Sequence, residues 1–208
     1  MSYRALRLAN PYLSTMSVDI INDKFAALPA AAQRDVAAYI ERLSQAYASY
    51  DPTERDRFWE LIELIDLSAD EDAGRLSALR HALAQENTTG IQAFQRELYR
   101  SLRALDGPRY FAAFANSEYG ASADSFLYGR CFVVAQGQTI YEAVRATPAK
   151  FPPGVWLESL LYVAEDAFRD KTGEKMEFTP AVSIETRSNK ELWLDSALEF
   201  GEYQYPHV

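Results

Sequence analysis

Two histidines and one cysteine bound the nucleophilic and metal chemistry open to this chain of 208 residues. A Ser-His-Asp or Cys-His arrangement needs a histidine held beside its nucleophile. A protein zinc site draws on clustered His and Cys. His207 stands next to last, and His81 falls off the apolar stripe of Leu76, Leu79 and Leu83 at about 100° per residue. His81 therefore reads as a solvated side chain, and neither a metal site nor a catalytic residue is expected. Cys131 sits in the apolar run Cys131-Phe132-Val133-Val134, which reads as a buried thiol acting as a small hydrophobe. The glycines form no phosphate-cradling pattern, and no cofactor is expected.

Carboxylates and guanidiniums remain. Glu60 and Glu63 are three apart, and Asp70, Glu71 and Asp72 are consecutive. Such groups could hold a divalent cation or move a proton. With no second ligand motif beside them, they read as solvated or helix-end charge. Arg96, Arg100 and Arg103 recur at i, i+4 and i+7, with Arg109 nearby. This row points away from Ile91, Phe94 and Leu98. It is either a receiver for an acidic partner or phosphate or an ordinary solvated helix face. Arg130 differs in kind, because it lies between Phe126 and Val133 at helical spacing. It is expected to face inward, where a guanidinium needs a carboxylate or carbonyl partners. Asp124, Glu60 and Glu63 are the expected carboxylates. The binding candidates are thus Arg96, Arg100, Arg103, Asp124 and Arg130.

The elements that must position these residues are helical. The chain is 48% hydrophobic and 13% aromatic, enough for a core without disulfides or metals. Ile21, Phe25 and Leu28 mark a first helix capped by Ser17, and Pro29 suits the first turn of a second through Val36, Ile40, Leu43 and Tyr47. Pro52 breaks that helix. Thr53 to Asp56 resembles a capping box opening a third helix through Phe58, Leu61, Ile62 and Ile65. A loop from Ser68 to Gly74 leads to the Leu76 stripe. Thr89 with Gln92 reads as a capping box before the clearest helix: Ile91, Phe94, Leu98, Leu102 and Leu105.

Gly107-Pro108 ends that helix and starts another through Tyr110, Phe111 and Phe114. Ser122 or Asp124 caps the next, although Phe132-Val133-Val134 also suits a strand. Thr139 with Glu142 opens a short helix ending near Pro148. Trp156, Leu160, Val163 and Ala167 mark a long one, with Gly173 as its C-terminal cap. Alternation at Met176, Phe178, Val182 and Ile184 then predicts two short strands or an extended arm. Ser188 with Glu191 opens a terminal helix through Leu194 and Leu198. The fold class expected is mainly α: about eight helices with a small extended or hairpin element near the C-terminus. Residues 1–52 are expected to form a helical extension packed on a main domain of residues 53–208.

Charge narrows the partners. The net charge is −9. Residues 1–57 carry as many basic as acidic side chains, so the excess arises from Phe58 onward. Such a surface repels phosphate backbones, which argues against direct nucleic-acid binding, and attracts a basic protein. No apolar stretch approaches the ~20 residues that a membrane span needs. The first residues, from Met1 to Thr15, lack the apolar core of a secretory leader. A cytoplasmic protein is expected.

Two blocks carry a family resemblance. One is Phe58-Trp59-Glu60-Leu61-Ile62-Glu63. The other runs from Asp124-Ser125-Phe126-Leu127-Tyr128-Gly129-Arg130 through Cys131-Phe132-Val133-Val134-Ala135-Gln136-Gly137 to Tyr141-Glu142-Ala143. Together with the Phe94 to Leu105 segment between them, they resemble the bacterial domain-of-unknown-function 4240 family over about residues 58–172. That pattern opens on FW-x-x-I and later sets an acidic residue, a Phe and an aromatic-x-Arg before an apolar run. The resemblance implies a shared fold and no activity, so no catalytic residue is carried over. Phe25 to Tyr47 is similar to the short helices of some small antitoxin-like proteins.

Three classes of function follow. The favoured one is a non-enzymatic protein-binding or regulatory role, such as an immunity-type or antitoxin-like inhibitor of a basic partner. The second is an enzyme using carboxylates and the arginine row on a phosphorylated or acidic small molecule. The third is a structural module that self-associates.

Overall fold

The computed structural model describes residues 18–37, 51–115 and 121–193. The chain divides into two compact units between Tyr50 and Asp51. In the first, α1 (Val18–Ala26) is followed after a short turn by a helical run over 30–37, α2. Gln33 of α2 reaches back to cap α1, its side-chain amide donating to the carbonyls of Phe25 at 3.2 Å and Ala26 at 3.1 Å. These are carbonyls the end of a helix leaves without an internal partner. Ser17, Ile40, Leu43 and Tyr47 lie outside the described residues.

The second unit opens with α3 (Pro52–Ile62). Its cap lies two residues before the expected Thr53. The Asp51 carboxylate accepts from the Thr53 N–H at 2.8 Å and from its hydroxyl at 2.7 Å. Pro52 takes the first helical position, where a missing N–H costs nothing. There follow α4 (Asp72–Gln85), α5 (Thr88–Ala104), α6 (Pro108–Ala115), α7 (Ala123–Ala135), α8 (Gln138–Ala146) and α9 (Val163–Thr172), with 3-10 turns at Pro148–Lys150 and Glu158–Leu161. Asn87 caps α5, accepting from Gly90 N–H at 2.7 Å, and the expected Thr89 is inside the helix. Thr139 is likewise inside α8, whose N-cap is Gly137 at φ 88°. Ser122 and Ser125 form a reciprocal capping box on α7. The Phe132-Val133-Val134 run is helical.

The segment expected as one helix from Trp156 to Ala167 is divided. Trp156 is 51% exposed ahead of the 3-10 turn, and α9 begins only at Val163. Gly173 ends α9 at φ 75°, the left-handed position a helix C-terminus favours glycine for. Residues 174–189 then run without regular structure, and a helical turn begins at 190. The alternation at Met176 to Ile184 thus marks an extended arm, and no strand occurs among the described residues.

Helix α5 packs against α3, α4, α7 and α9, and α4 lies along α9. Its stripe of Ile91, Phe94, Leu98 and Leu102 is buried, with Leu105 just beyond. Each such side chain contributes about 1.5–3 kcal/mol by leaving water. A second set of rings, Phe111, Phe114, Phe126 and Phe151, meets at centroid distances of 5.2–5.8 Å. Gly129 permits this packing, since a Cβ there would lie 2.6 Å from the Phe114 ring.

Candidate functional site

A cleft of about 480 Å³ opens where four separate stretches of chain converge. Helix α5 supplies Gln95 and Tyr99, one turn apart on one face. The first turns of α7 supply Asp124, Leu127 and Tyr128. The 3-10 turn and start of α9 supply Leu161, Tyr162 and Glu165. The extended arm closes the remaining side with Lys175, Met176, Phe178, Ile184 and Glu185. The walls are aromatic and the polar groups mostly acidic: Asp124, Glu165 and Glu185 stand against the ammonium of Lys175.

The walls are held by specific contacts. Tyr99 meets Phe178 edge to face at 5.6 Å. Leu157 N–H donates to the Tyr128 carbonyl at 3.1 Å, tying the 3-10 turn to α7. The Tyr162 hydroxyl donates to Glu158 at 3.2 Å. Desolvation, followed by the nearby Glu158 carboxylate, holds the Tyr128 phenol above its ordinary value. The Tyr162 phenol is raised by desolvation and by its bond to Glu158. Both phenols are therefore neutral near pH 7. Gln95 is 4% exposed, and its buried Oε1 has no hydrogen-bond partner among the described residues. An unpaired buried acceptor is costly and rare in a folded protein.

The arm that forms one side is latched by Arg130 and Asp106. Arg130 is 0% exposed. Its guanidinium donates to the carbonyls of Leu102 at 3.1 Å and Ile184 at 2.9 Å, and to the Thr186 hydroxyl at 3.2 Å, and lies 4.9 Å over the Phe126 ring. The Thr186 hydroxyl in turn donates to the Ala123 carbonyl at 2.7 Å. Asp106 is also 0% exposed. Its carboxylate accepts from the N–H groups of Arg187 at 2.9 Å and Asn189 at 2.8 Å, the Ser188 hydroxyl at 3.3 Å and the Trp193 indole at 2.9 Å. Arg187 adopts φ 71° in this turn, a left-handed conformation that a non-glycine residue holds only when its surroundings enforce it. Burial pulls the Arg130 pKa below its ordinary value, opposed first by the Asp106 charge.

The predicted residues are therefore distributed. Asp124 lines the cleft. Arg130 does not, but it fixes the Ile184 carbonyl at the cleft wall. The inward orientation expected for Arg130 is present, and its partners are carbonyls, one of the two kinds expected, together with the Thr186 hydroxyl. The carboxylate whose charge bears first on Arg130 is Asp106, in the loop after α5, in place of the expected Asp124, Glu60 or Glu63. The arginine row lies partly exposed along α5 and is held by acceptors of the protein itself. Arg96 pairs with Glu54 at 3.0 Å, Arg100 with Glu97, and Arg103 donates to the Ser188 carbonyl at 3.1 Å and faces Glu191 at 3.8 Å. The row does not line this cleft; Arg96 ties α5 to α3 and Arg103 ties it to the arm.

Glu60 pairs with Arg57 at 2.8 Å, and Asp72 accepts from Ser159 Oγ at 2.7 Å. Cys131 is buried, and burial pushes its thiol up to about 12. Among the described residues, no group of three or more His, Cys, Asp and Glu is arranged to hold a metal ion. A smaller concavity of about 300 Å³ beside α3 and the start of α5 contains Glu54, Arg57 and Glu86, which are engaged in ion pairs.

Reading the sequence alone missed Asp106, Gln95 and the three cleft tyrosines. Leu105-Asp106-Gly107-Pro108 reads only as a helix end. Gln95 and Tyr99 did carry a signal: they repeat at i, i+4 one step off the apolar stripe. No helix among the described residues is long and apolar enough to cross a membrane. No curated protein and no solved structure matches the chain. The family model for a protein of unknown function, DUF4240, matches residues 53–170, more than half of the chain, and the protein belongs to that family.

Proposed function

We propose that this is a non-enzymatic binding protein that engages a basic protein through the acidic, tyrosine-lined cleft. The observation that carries the reading is the cleft's composition: Asp124, Glu165 and Glu185 against the Lys175 ammonium, with Glu165 also accepting from Arg169 at 3.0 Å, set among tyrosines 99, 128 and 162. Carboxylates supply charge-assisted hydrogen bonds, and tyrosine faces attract cations. The net charge of −9 adds long-range attraction for a basic partner. The enzyme reading leaned on the arginine row as a receiver of anions. Those guanidiniums already have internal acceptors, so the cleft makes the stronger case. An immunity-type or antitoxin-like inhibitor is the form of binding protein that best fits an acidic domain aimed at a basic target. The matched family residues end at 170, so the arm that forms one side of the cleft lies beyond them. This is a natural place for partner choice to be set.

The test is a paired capture from the native cell with wild-type protein and a D124N/E165Q/E185Q variant. A basic protein retained by the wild type and lost from the variant supports the reading. Retention should weaken steeply with salt, since the Debye length falls from ~10 Å at 0.1 M to ~3 Å at 1 M. A partner retained equally by both proteins refutes the role given to the cleft.

A further inference from the structure

We infer that residues 174–193 form a strap, fastened by Arg130 and Asp106, that opens and closes one side of the cleft as a single unit. This segment is held differently from the helices. Among the described residues, no backbone-to-backbone hydrogen bond ties 174–186 to a helix. The fastenings pass through side chains instead. Near the start, the Gln92 amide donates to the Glu177 carbonyl at 3.2 Å. The others gather at the far end. There Arg103 holds the Ser188 carbonyl at 3.1 Å, and the Asn189 side-chain amide donates to the Arg103 carbonyl at 2.9 Å. These lie beside the bonds made by Arg130 and Asp106. Between the two ends, Thr179, Pro180, Ala181 and Ser183 are exposed.

A segment with few buried groups and little regular structure belongs to the part of a protein that opens most readily. Apolar anchorage here comes from Met176, with Phe178 and Ile184 partly buried against the core. Opening gives up that burial and the clasp. In return it frees the conformational entropy of an irregular segment and releases Arg187 from φ 71°. It also lets water reach Asp106 and Arg130 where groups of the arm stood, so neither charge is left buried without partners. The helices keep their internal bonds throughout. Gly173, at φ 75°, marks the end of α9 from which the segment departs. Opening removes from the cleft the wall of Lys175, Met176, Phe178, Ile184 and Glu185.

The experiment is native-state hydrogen exchange of the full chain by NMR, in urea below the unfolding midpoint. The amides of Arg187, Ser188, Asn189 and Trp193 report the strap, since each donates within the clasp. Those of Leu79 and Leu83 in α4 report the body. The four strap amides should share one opening constant, at least about tenfold above that of the α4 amides. Their urea dependence should be weaker, because a strap exposes less surface than unfolding does. Thr186→Val removes the hydroxyl bonded to Arg130 and to the Ala123 carbonyl. It should speed all four strap amides together by about tenfold. Leu76→Ala weakens the body alone. It should speed the α4 amides by more than about tenfold and leave the strap amides unchanged.

Strap amides that exchange with the rate and urea dependence of Leu79 and Leu83 overturn the inference. Four dissimilar opening constants would mean fraying and overturn it too. So would strap amides that follow the α4 amides in Leu76→Ala. The urea series on the wild-type protein decides the matter even where a variant fails to fold.

Discussion

Replacing Arg130 with Ala should be among the most damaging single changes in the described residues, and its cost can be worked from the contacts. The substitution leaves the Leu102 and Ile184 carbonyls without the donors they now meet at 3.1 and 2.9 Å. It removes the cation lying 4.9 Å over Phe126 and leaves the buried Asp106 carboxylate without the opposing charge. Breaking a buried charge arrangement by removing one member costs about 3–5 kcal/mol. For a protein of this size that lowers the melting temperature by about 6–20 °C. Urea titration and differential scanning fluorimetry of wild-type and Arg130→Ala protein measure it. Arg130→Lys should fall between them, because it keeps the charge but lacks the fork. Hydrogen exchange adds a local readout. The amides of Arg187 and Asn189, bonded to Asp106, should exchange faster in the Ala variant than amides of α4, which the latch does not touch. A melting temperature within about 2 °C of wild type would refute the argument, since it corresponds to about 0.5–1 kcal/mol for a chain of this length.

Other consequences are smaller and as direct. Gly129→Ala should destabilise by about 1–3 kcal/mol through overpacking against Phe114, despite the better helix propensity of Ala, and urea titration will show it. Cys131 should resist iodoacetamide at pH 8 in the native protein and react once unfolded, because burial holds the thiol at about 12; mass spectrometry gives the ratio. Asp170 is held below the ordinary aspartate value of 3.8 by its hydrogen bond from Arg80. A carboxylate depressed in the folded state stabilises above its unfolded value and ceases to do so as pH falls through the folded one. Asp170→Asn should therefore match wild type more closely below pH 3.8 than at pH 6, as read by acid titration of the circular dichroism signal.

Much of the architecture was legible in the amino-acid order because helix periodicity is a local property. Ile91, Phe94, Leu98 and Leu102 had to share one face of α5, Gly173 was the natural left-handed end of α9, and the two quoted blocks sufficed for the family. Cap positions were read less well. Asp51 and Thr53, or Asn87 and Thr89, lie two residues apart, and either could accept from a first-turn N–H. The winner depends on the angle at which the chain enters the helix, which packing imposes. The period through Trp156, Leu160, Val163 and Ala167 looked continuous, yet a 3-10 turn takes up the stretch before Val163.

The inward side chain of Arg130 followed from spacing alone, since its neighbours Phe126 and Val133 fix the face of α7 that enters the core. What that side chain would meet did not. Its acceptors lie 28 and 54 residues away in the chain. Asp106 came to oppose it only because the turn between α5 and α6 carries a carboxylate into the path of the returning arm. The cleft is of the same kind. Gln95, Asp124, Glu165 and Glu185 belong to four separate stretches of chain, and they become one acidic site only when α5, α7, α9 and the arm converge. Local sequence decides which face of a helix is buried. Which charges then stand together depends on loop closure over long separations, and no short-range pattern encodes that.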